Sequence, residues 1–268
     1  MIISSFKNNF LIKFVGRLDN INLDNINSKV NKHKIDGIIL LNYIEINKFE
    51  NKKIYIRAGY DLYNIDLTRA EVSGNGLACL AKFINYSLKF DKLFTNIYFN
   101  FLNTFFNKEF KVEYKNKYYF VEFDSNKFEF IENIIKNCYY VNVGNPHIIF
   151  IPDDNFKNLK TFDNKFIFNF LENLYKDVIK NLGFETNVHF VFKKKNDYYI
   201  YSYERGVGIT KSCGSGSIAS FYLLGKLNIV NSNNFILKSL GGDIALRKNN
   251  NFYYLKSLPK IIKKKFNS

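Results

Sequence analysis

Two short stretches of this chain are built to do the same kind of chemistry. One is Ser73-Gly74-Asn75-Gly76, which opens onto the helix pattern GLACLAKFINYSL. The other is Cys213-Gly214-Ser215-Gly216, which opens onto GSIASFYLLGKLN. In each, a hydroxyl or thiol precedes two glycines at the mouth of an expected helix, and the copies stand about half the chain apart. A helix N-terminus offers unpaired N–H groups and positive dipole potential. It can hold a carboxylate and also stabilise a nearby thiolate. Two such ends facing one pocket would hold an anionic substrate between two proton-transfer groups.

Cys213 is the strongest candidate for chemistry, and its helix-mouth position predicts a lowered thiol pKa. The plain alternative is a buried structural cysteine. The adjacent glycines argue against it, because they let a ligand approach the backbone closely. Cys79 falls on the apolar face of the first helix pattern and reads as core. Cys138 precedes a Tyr-rich strand and reads as structural. Three cysteines are too few and too sparse for a disulfide framework and fit a reducing compartment. His33, His147 and His189 are too dispersed in sequence for a metal motif, so no metal is expected.

Other polar residues stand at turn-like positions. In Glu204-Arg205-Gly206-Val207-Gly208 an adjacent acid and base could grip an amino-acid zwitterion, with Arg205 taking the carboxylate. The same pair could equally be a strand-end ion pair of little energetic weight. Gly144-Asn145-Pro146-His147 interrupts a strand-like run and reads as a tight turn exposing two polar side chains. His147 could orient substrate or assist proton movement. Asn64 and Asn187 read, in isolation, as turn residues.

The elements that must position these residues are mostly strands. FLIKFV, IDGIILLNYIEI, KKIYIRAGYD and LFTNIYFNFL have strand character, and FKVEYKNKYYFVEF alternates about KNK as a hairpin. A similar series restarts after residue 138, with YYVNVGNPHIIFI, NVHFVFKKKNDYYIYSYERGVG and FILKSLGGDIALRKNNNFYYLKSL. Helical periodicity adds FIFNFLENLYKDVIKNLG to the two helices already named. The half-chain duplication predicts two similar lobes. Their boundary falls in the polar stretch near 105–118, giving lobes of 1–112 and 113–268, with a strand from about 253–268 returning to the first.

The 268 residues are 47% hydrophobic, enough for a substantial core. No apolar run is long enough to span a bilayer, and the N-terminus lacks a signal-peptide pattern, so a cytoplasmic protein is expected. The net charge of +15 could suit nucleic acid. However, the basic residues are scattered, and the abundance of Lys, Asn, Ile, Phe and Tyr matches A/T-rich codons. We read the charge as compositional drift and expect no nucleic-acid partner.

Taken together, the motifs resemble diaminopimelate epimerase, a cofactor-independent amino-acid epimerase. They are NxDxxxxEVxGNGxxC at 64–79, GNPH at 144–147, NV at 187–188, ERGVG at 204–208, CGSG at 213–216 and LGGDI at 240–244. Asn8-Asn9-Phe10 is similar to the family's Asn-Asp-Phe, and Asp36-Gly37 to its Asp-Gly or Asp-Gln pair. The resemblance covers nearly the whole chain. It implies an α+β fold of two similar lobes, each a curved, mainly antiparallel sheet or barrel around a central helix, with the active site in the cleft between them. It also implies interconversion of LL- and meso-diaminopimelate by two-base proton transfer at Cα, serving lysine and peptidoglycan synthesis without cofactor or metal.

By that resemblance Cys213 and Ser73 hold the two acid/base positions, and His147 and Glu204 support the thiol chemistry. Asn8, Gly37, Asn64, Asn145 and Asn187 would line the substrate, and Glu204 and Arg205 would bind its reacting end. Gly74, Asn75, Gly214 and Ser215 would supply helix-end N–H donors. The partner is a small molecule, and a homodimer is compatible with the family.

Three departures stand out. Ser73 occupies a position that is cysteine in the family, and an alkoxide forms far less readily than a thiolate, whose free pKa is about 8.5. Ala78 and Ile209 replace residues that are usually Arg and Glu. With a single strong base, an amino-acid dehydratase or a catalytically impaired diaminopimelate binder is the alternative reading.

Overall fold

The computed structural model describes residues 1–16, 34–153 and 164–263. His33 lies outside the described residues. The chain forms two compact units, one running from Met1 to Phe123 and taken up again from Tyr254, the other Asp124–Tyr253.

The first unit contains β1 (Ile2–Ser5), β2 (Asn8–Phe14), β3 (Gly37–Glu50), β4 (Lys53–Tyr63), α1 (Gly74–Leu88), β5 (Asn96–Asn103), β6 (Lys108–Lys115) and β7 (Tyr118–Asp124). β1 pairs antiparallel with β2, β3 with β4, β5 with β6 and β6 with β7. β2 and β3 are parallel, as are β4 and β5, which are joined through α1. β6 and β7 extend beyond residue 112 while still pairing in this sheet. Near the C-terminus, β16 (Phe252–Ser257) pairs with β7, and β17 (Lys260–Lys263) lies antiparallel to β1.

The second unit contains β8 (Glu129–Ile135), β9 (Cys138–Asn142), β10 (Pro146–Phe150), α2 (Asn164–Leu182), β11 (Asn187–Lys194), β12 (Asp197–Glu204), β13 (Gly208–Thr210), α3 (Gly214–Lys226), β14 (Asn234–Ser239) and β15 (Gly242–Asn249). Here too antiparallel pairs dominate: β8–β9, β9–β10, β11–β12, β12–β13 and β14–β15. The parallel pairs are β10–β11, joined through α2, and β12–β14, which α3 separates in sequence. This is the expected α+β class.

The helices divide by their faces. α1 is buried from Gly74 to Ala81 without interruption, and α3 from Gly214 to Leu224. A helix apolar all round must be enclosed. α1 packs on β1, β2, β3 and β6, and α3 on β9, β10, β11 and β15, so each sheet curls around its own helix. By contrast α2 buries one stripe, Ile167, Leu171, Leu174 and Val178, at helical spacing. That stripe covers Phe150, Val188, Phe190 and Phe192 from outside. Among the described residues, no helix is long and apolar enough to cross a membrane.

Candidate functional site

The two helix mouths have matching backbones. Ser73 caps α1 with φ −134° and ψ 116°, and Cys213 caps α3 with φ −122° and ψ 112°. The Ser73 Oγ accepts the Gly76 N–H at 3.1 Å, and the Cys213 Sγ accepts the Gly216 N–H at 3.4 Å. Each reactive side chain therefore satisfies one of the orphan donors of its helix. Gly74 and Asn75, like Gly214 and Ser215, are the first buried residues of their helices.

In the first unit, Asn8 and Phe10 lie on one face of β2, and Gly37 opens β3 in register with Phe10. The Phe10 ring reaches α1, lying 3.2 Å from where a Cβ on Gly76 would be. Asn64 is engaged elsewhere. Its Nδ2 donates to Thr68 Oγ1 at 3.0 Å, and its backbone closes the same turn. Asp66 reinforces that turn by accepting from the Thr68 N–H and hydroxyl.

In the second unit four of the sequence motifs meet. Asn187 Oδ1 accepts the Arg205 N–H at 3.0 Å, while its Nδ2 donates to Pro146 O at 3.3 Å. One asparagine thus ties the GNPH turn to the ERGVG turn. Glu204 ends β12 and accepts the Thr210 hydroxyl at 2.5 Å. Its carboxylate also faces the Cys213 thiol. Cys213 Sγ lies 3.7 Å from Ser215 Oγ.

The expectation of a lowered Cys213 pKa is corrected. Burial and then the neighbouring Glu204 charge push the thiol well above its ordinary value. The Gly216 N–H and Ser215 hydroxyl pull the other way but do not prevail. A helix end favours the thiolate only where the charge is also solvated or paired. Cys79 and Cys138 are buried free thiols, and burial pushes both up, Cys138 to about 12.

Sequence reasoning missed His189, Ser202 and Thr210. His147 Nδ1 lies 2.8 Å from His189 Nε2. Beyond them, His147 Nε2 reaches Asn145 Oδ1 at 3.0 Å and His189 Nδ1 reaches Ser202 Oγ at 2.9 Å. Both rings are fully buried. Burial holds both neutral, and the adjacent His189 ring and the nearby Arg205 charge lower His147 further; burial pushes His189 down to about 3. The available signal was a polar residue in the otherwise apolar run NVHFVF, two positions from Asn187 and hence on its face.

The dispersal of the histidines along the chain, which argued against a metal motif, does not keep two of them apart in the fold. The parallel pairing of β10 with β11 brings His147 and His189 together, and the ligand atoms of His147, His189 and Cys213 lie within 4.8 Å of one another. All four ring nitrogens nevertheless already have protein partners. A metal would have to displace that network, so the donor set does not describe a preformed metal centre.

Ala78 is fully enclosed in α1, where an arginine would have to bury its charge. Ile209 packs against the apolar cluster of the second unit.

Comparisons with known proteins agree with these motifs. The family model for diaminopimelate epimerase matches residues 139–255. A diaminopimelate epimerase of Rickettsia prowazekii is 30% identical over 204 residues, covering 71% of this chain and 70% of the relative. That of Methanocaldococcus jannaschii is 27% identical, covering 82% of this chain and 79% of the relative. Among solved structures, a hydroxyproline epimerase from Agrobacterium vitis with bound trans-4-hydroxy-L-proline has a TM-score of 0.63 at 10% identity, covering 97% of this chain and 88% of that one. A phenazine biosynthesis protein of the PhzF family from Enterococcus faecalis has a TM-score of 0.58 at 10% identity, with 98% and 95% covered. These two likenesses show the fold.

Proposed function

Because the chain belongs to the diaminopimelate epimerase family, we propose that it inverts the Cα centre of diaminopimelate by moving protons alone, without a cofactor. It is an isomerase of the epimerase type. The observation that carries the reading is Cys213: a thiol at the mouth of α3, buried and facing Glu204.

The chemistry follows from what surrounds that sulfur. Inversion removes the Cα proton and returns one to the opposite face, with no change of oxidation state. The Cα–H is a weak acid, so the carbanion needs its neighbouring carboxylate held by positive potential. Gly216 donates its N–H to Sγ, leaving the Gly214 and Ser215 N–H groups at the helix mouth to take that carboxylate. With its pKa raised, Cys213 is a protonated acid at neutral pH, suited to delivering a proton to Cα. In the reverse direction Glu204 receives the thiol proton as Sγ turns into the base. The Arg205 guanidinium supplies positive charge to the same substrate end.

A second proton-transfer group is required, and the family likeness assigns that role to Ser73. Its Oγ accepts from the Gly76 N–H, which stabilises negative charge on oxygen but does not bring an alkoxide within easy reach. Ser73 is the weaker partner, and turnover should be limited on its side.

The test is deuterium uptake at Cα in D2O, run separately from LL- and meso-diaminopimelate, for the natural protein and for Ser73→Cys. We expect exchange from both proteins and faster inversion in Ser73→Cys. Absence of exchange from both, with folded protein and either substrate, would overturn the reading.

A further inference from the structure

We propose that His189 is a positioning residue that acts through His147 to orient the Asn145 amide, so that Asn145 presents its Nδ2 hydrogens to a carboxylate of the substrate. This rests on the functional reading above and adds to it a residue outside the motifs that identified the family.

The argument begins with hydrogen-bond direction. Asn145 Oδ1 can only accept, so His147 Nε2, 3.0 Å away, carries a hydrogen. A neutral imidazole has one N–H, so His147 Nδ1 is an acceptor. Its partner at 2.8 Å, His189 Nε2, must then donate. The remaining nitrogen, His189 Nδ1, therefore accepts, and the hydroxyl of Ser202 at 2.9 Å donates to it. The chain runs one way, from Ser202 through His189 and His147 to Asn145, and fixes both rings as the Nε2–H tautomer. All four residues are buried, where an unmatched donor or acceptor would be costly. At the far end the amide has one orientation, with Oδ1 turned inward. The group left to meet a ligand is the NH2, a donor suited to a carboxylate.

Packing alone does not call for an imidazole at position 189. The His189 ring lies against Gly216, the third residue of α3, with Cε1 and Nε2 each 2.4 Å from where a Cβ would stand. In the first unit the ring against Gly76, the third residue of α1, belongs to Phe10. An apolar ring thus serves as the prop under one helix start. Under the other, the two ring nitrogens bond to Ser202 and His147.

The experiment uses the full chain. Nitrogen-15 NMR of the imidazoles, without substrate, should report Nε2–H and unprotonated Nδ1 for both rings. Diaminopimelate binding and steady-state kinetics are then compared for the natural protein, His189→Phe and His189→Gln. His189→Phe keeps a ring beside Gly216 and loses both hydrogen bonds. It should weaken substrate binding and raise KM by about tenfold, the scale of one lost polar contact, with kcat little changed. His189→Gln keeps a donor and an acceptor and should recover part of that loss. An Nδ1–H on either ring, unaltered binding in His189→Phe, or a fall in kcat with KM unchanged would each overturn the proposal. If the natural protein binds diaminopimelate without exchanging its Cα proton, the catalytic reading fails, while the tautomers and the binding series still decide the role of His189.

Discussion

The His189 ring occupies the space that any side chain on Gly216 would need, its Cε1 and Nε2 standing 2.4 Å from the missing Cβ. The helix that carries Cys213 is seated on the network that contains His147. Changes on either side of that contact should be felt on the other.

Gly216→Ala should therefore displace the ring or the helix start. Overpacking of this kind costs about 1–3 kcal/mol. Removing the ring as well, in Gly216→Ala with His189→Ala, should restore part of the loss. Denaturant unfolding of the two single variants and the double variant measures the coupling. Additive effects would show that the contact carries no strain. Gly76→Ala is a milder control, because its nearest obstacles are 3.1 Å and 3.2 Å away.

Cys213→Ser should leave the fold intact, because Ser73 performs the same capping role at α1 with nearly the same backbone angles. Deuterium exchange at Cα should fall by about a hundredfold or more, the scale on which a positioned acid or base contributes. Circular dichroism separates this from unfolding. Retention of full exchange would mean that Cys213 is a cap and no more.

Acid should unfold the protein partly through its histidines. His189 binds a proton at about 3 in the folded chain against 6.5 in the unfolded one, and burial lowers His147 well below 6.5 as well. Above 6.5 neither state is protonated at these rings. As pH falls from 6.5 toward 3 the unfolded chain takes up protons that the folded one refuses, so stability declines through that window. Each histidine adds a slope of about 1.4 kcal/mol per pH unit while only the unfolded state is protonated. Urea unfolding at a series of pH values should give a shallower slope for His189→Phe than for the natural chain. Equal slopes would mean that His189 is not held neutral.

The helices were readable because each has a strong local cause. The glycine pairs and small residues announce α1 and α3, and the apolar stripe of α2 repeats at the helical period. The KNK hairpin was readable from alternation, and Asn116 and Lys117 do take the left-handed backbone it requires. β1 and β8 were not foreseen. In β8, Glu129–Ile135, the register shifts between Ile131 and Ile135, and Ile131 is exposed, so simple alternation fails. At the candidate site, Cys213 and the Glu204 turn were visible as motifs. The sense of the thiol shift was not, because burial and the Glu204 carboxylate, which outweigh the helix end, arise only from the tertiary fold. The histidine pair was hidden for a different reason. It depends on which strands become parallel neighbours, and no local pattern around residue 147 or 189 encodes that.

The hairpin turns carry a separate consequence. Phe6, Lys7, Asn51, Lys52, Asn116, Lys117, Lys195 and Asn250 all have positive φ, in places where glycine would be at ease. A non-glycine residue there costs about 1 kcal/mol, somewhat less for asparagine. A nucleotide bias toward lysine and asparagine codons would leave its mark on folding here, in the turns that join paired strands. The same turns form a reserve for evolution in the laboratory. Glycine at several of them could offset the destabilisation that substitutions near the thiol bring, so the chain has room to acquire new activities without first acquiring a new core.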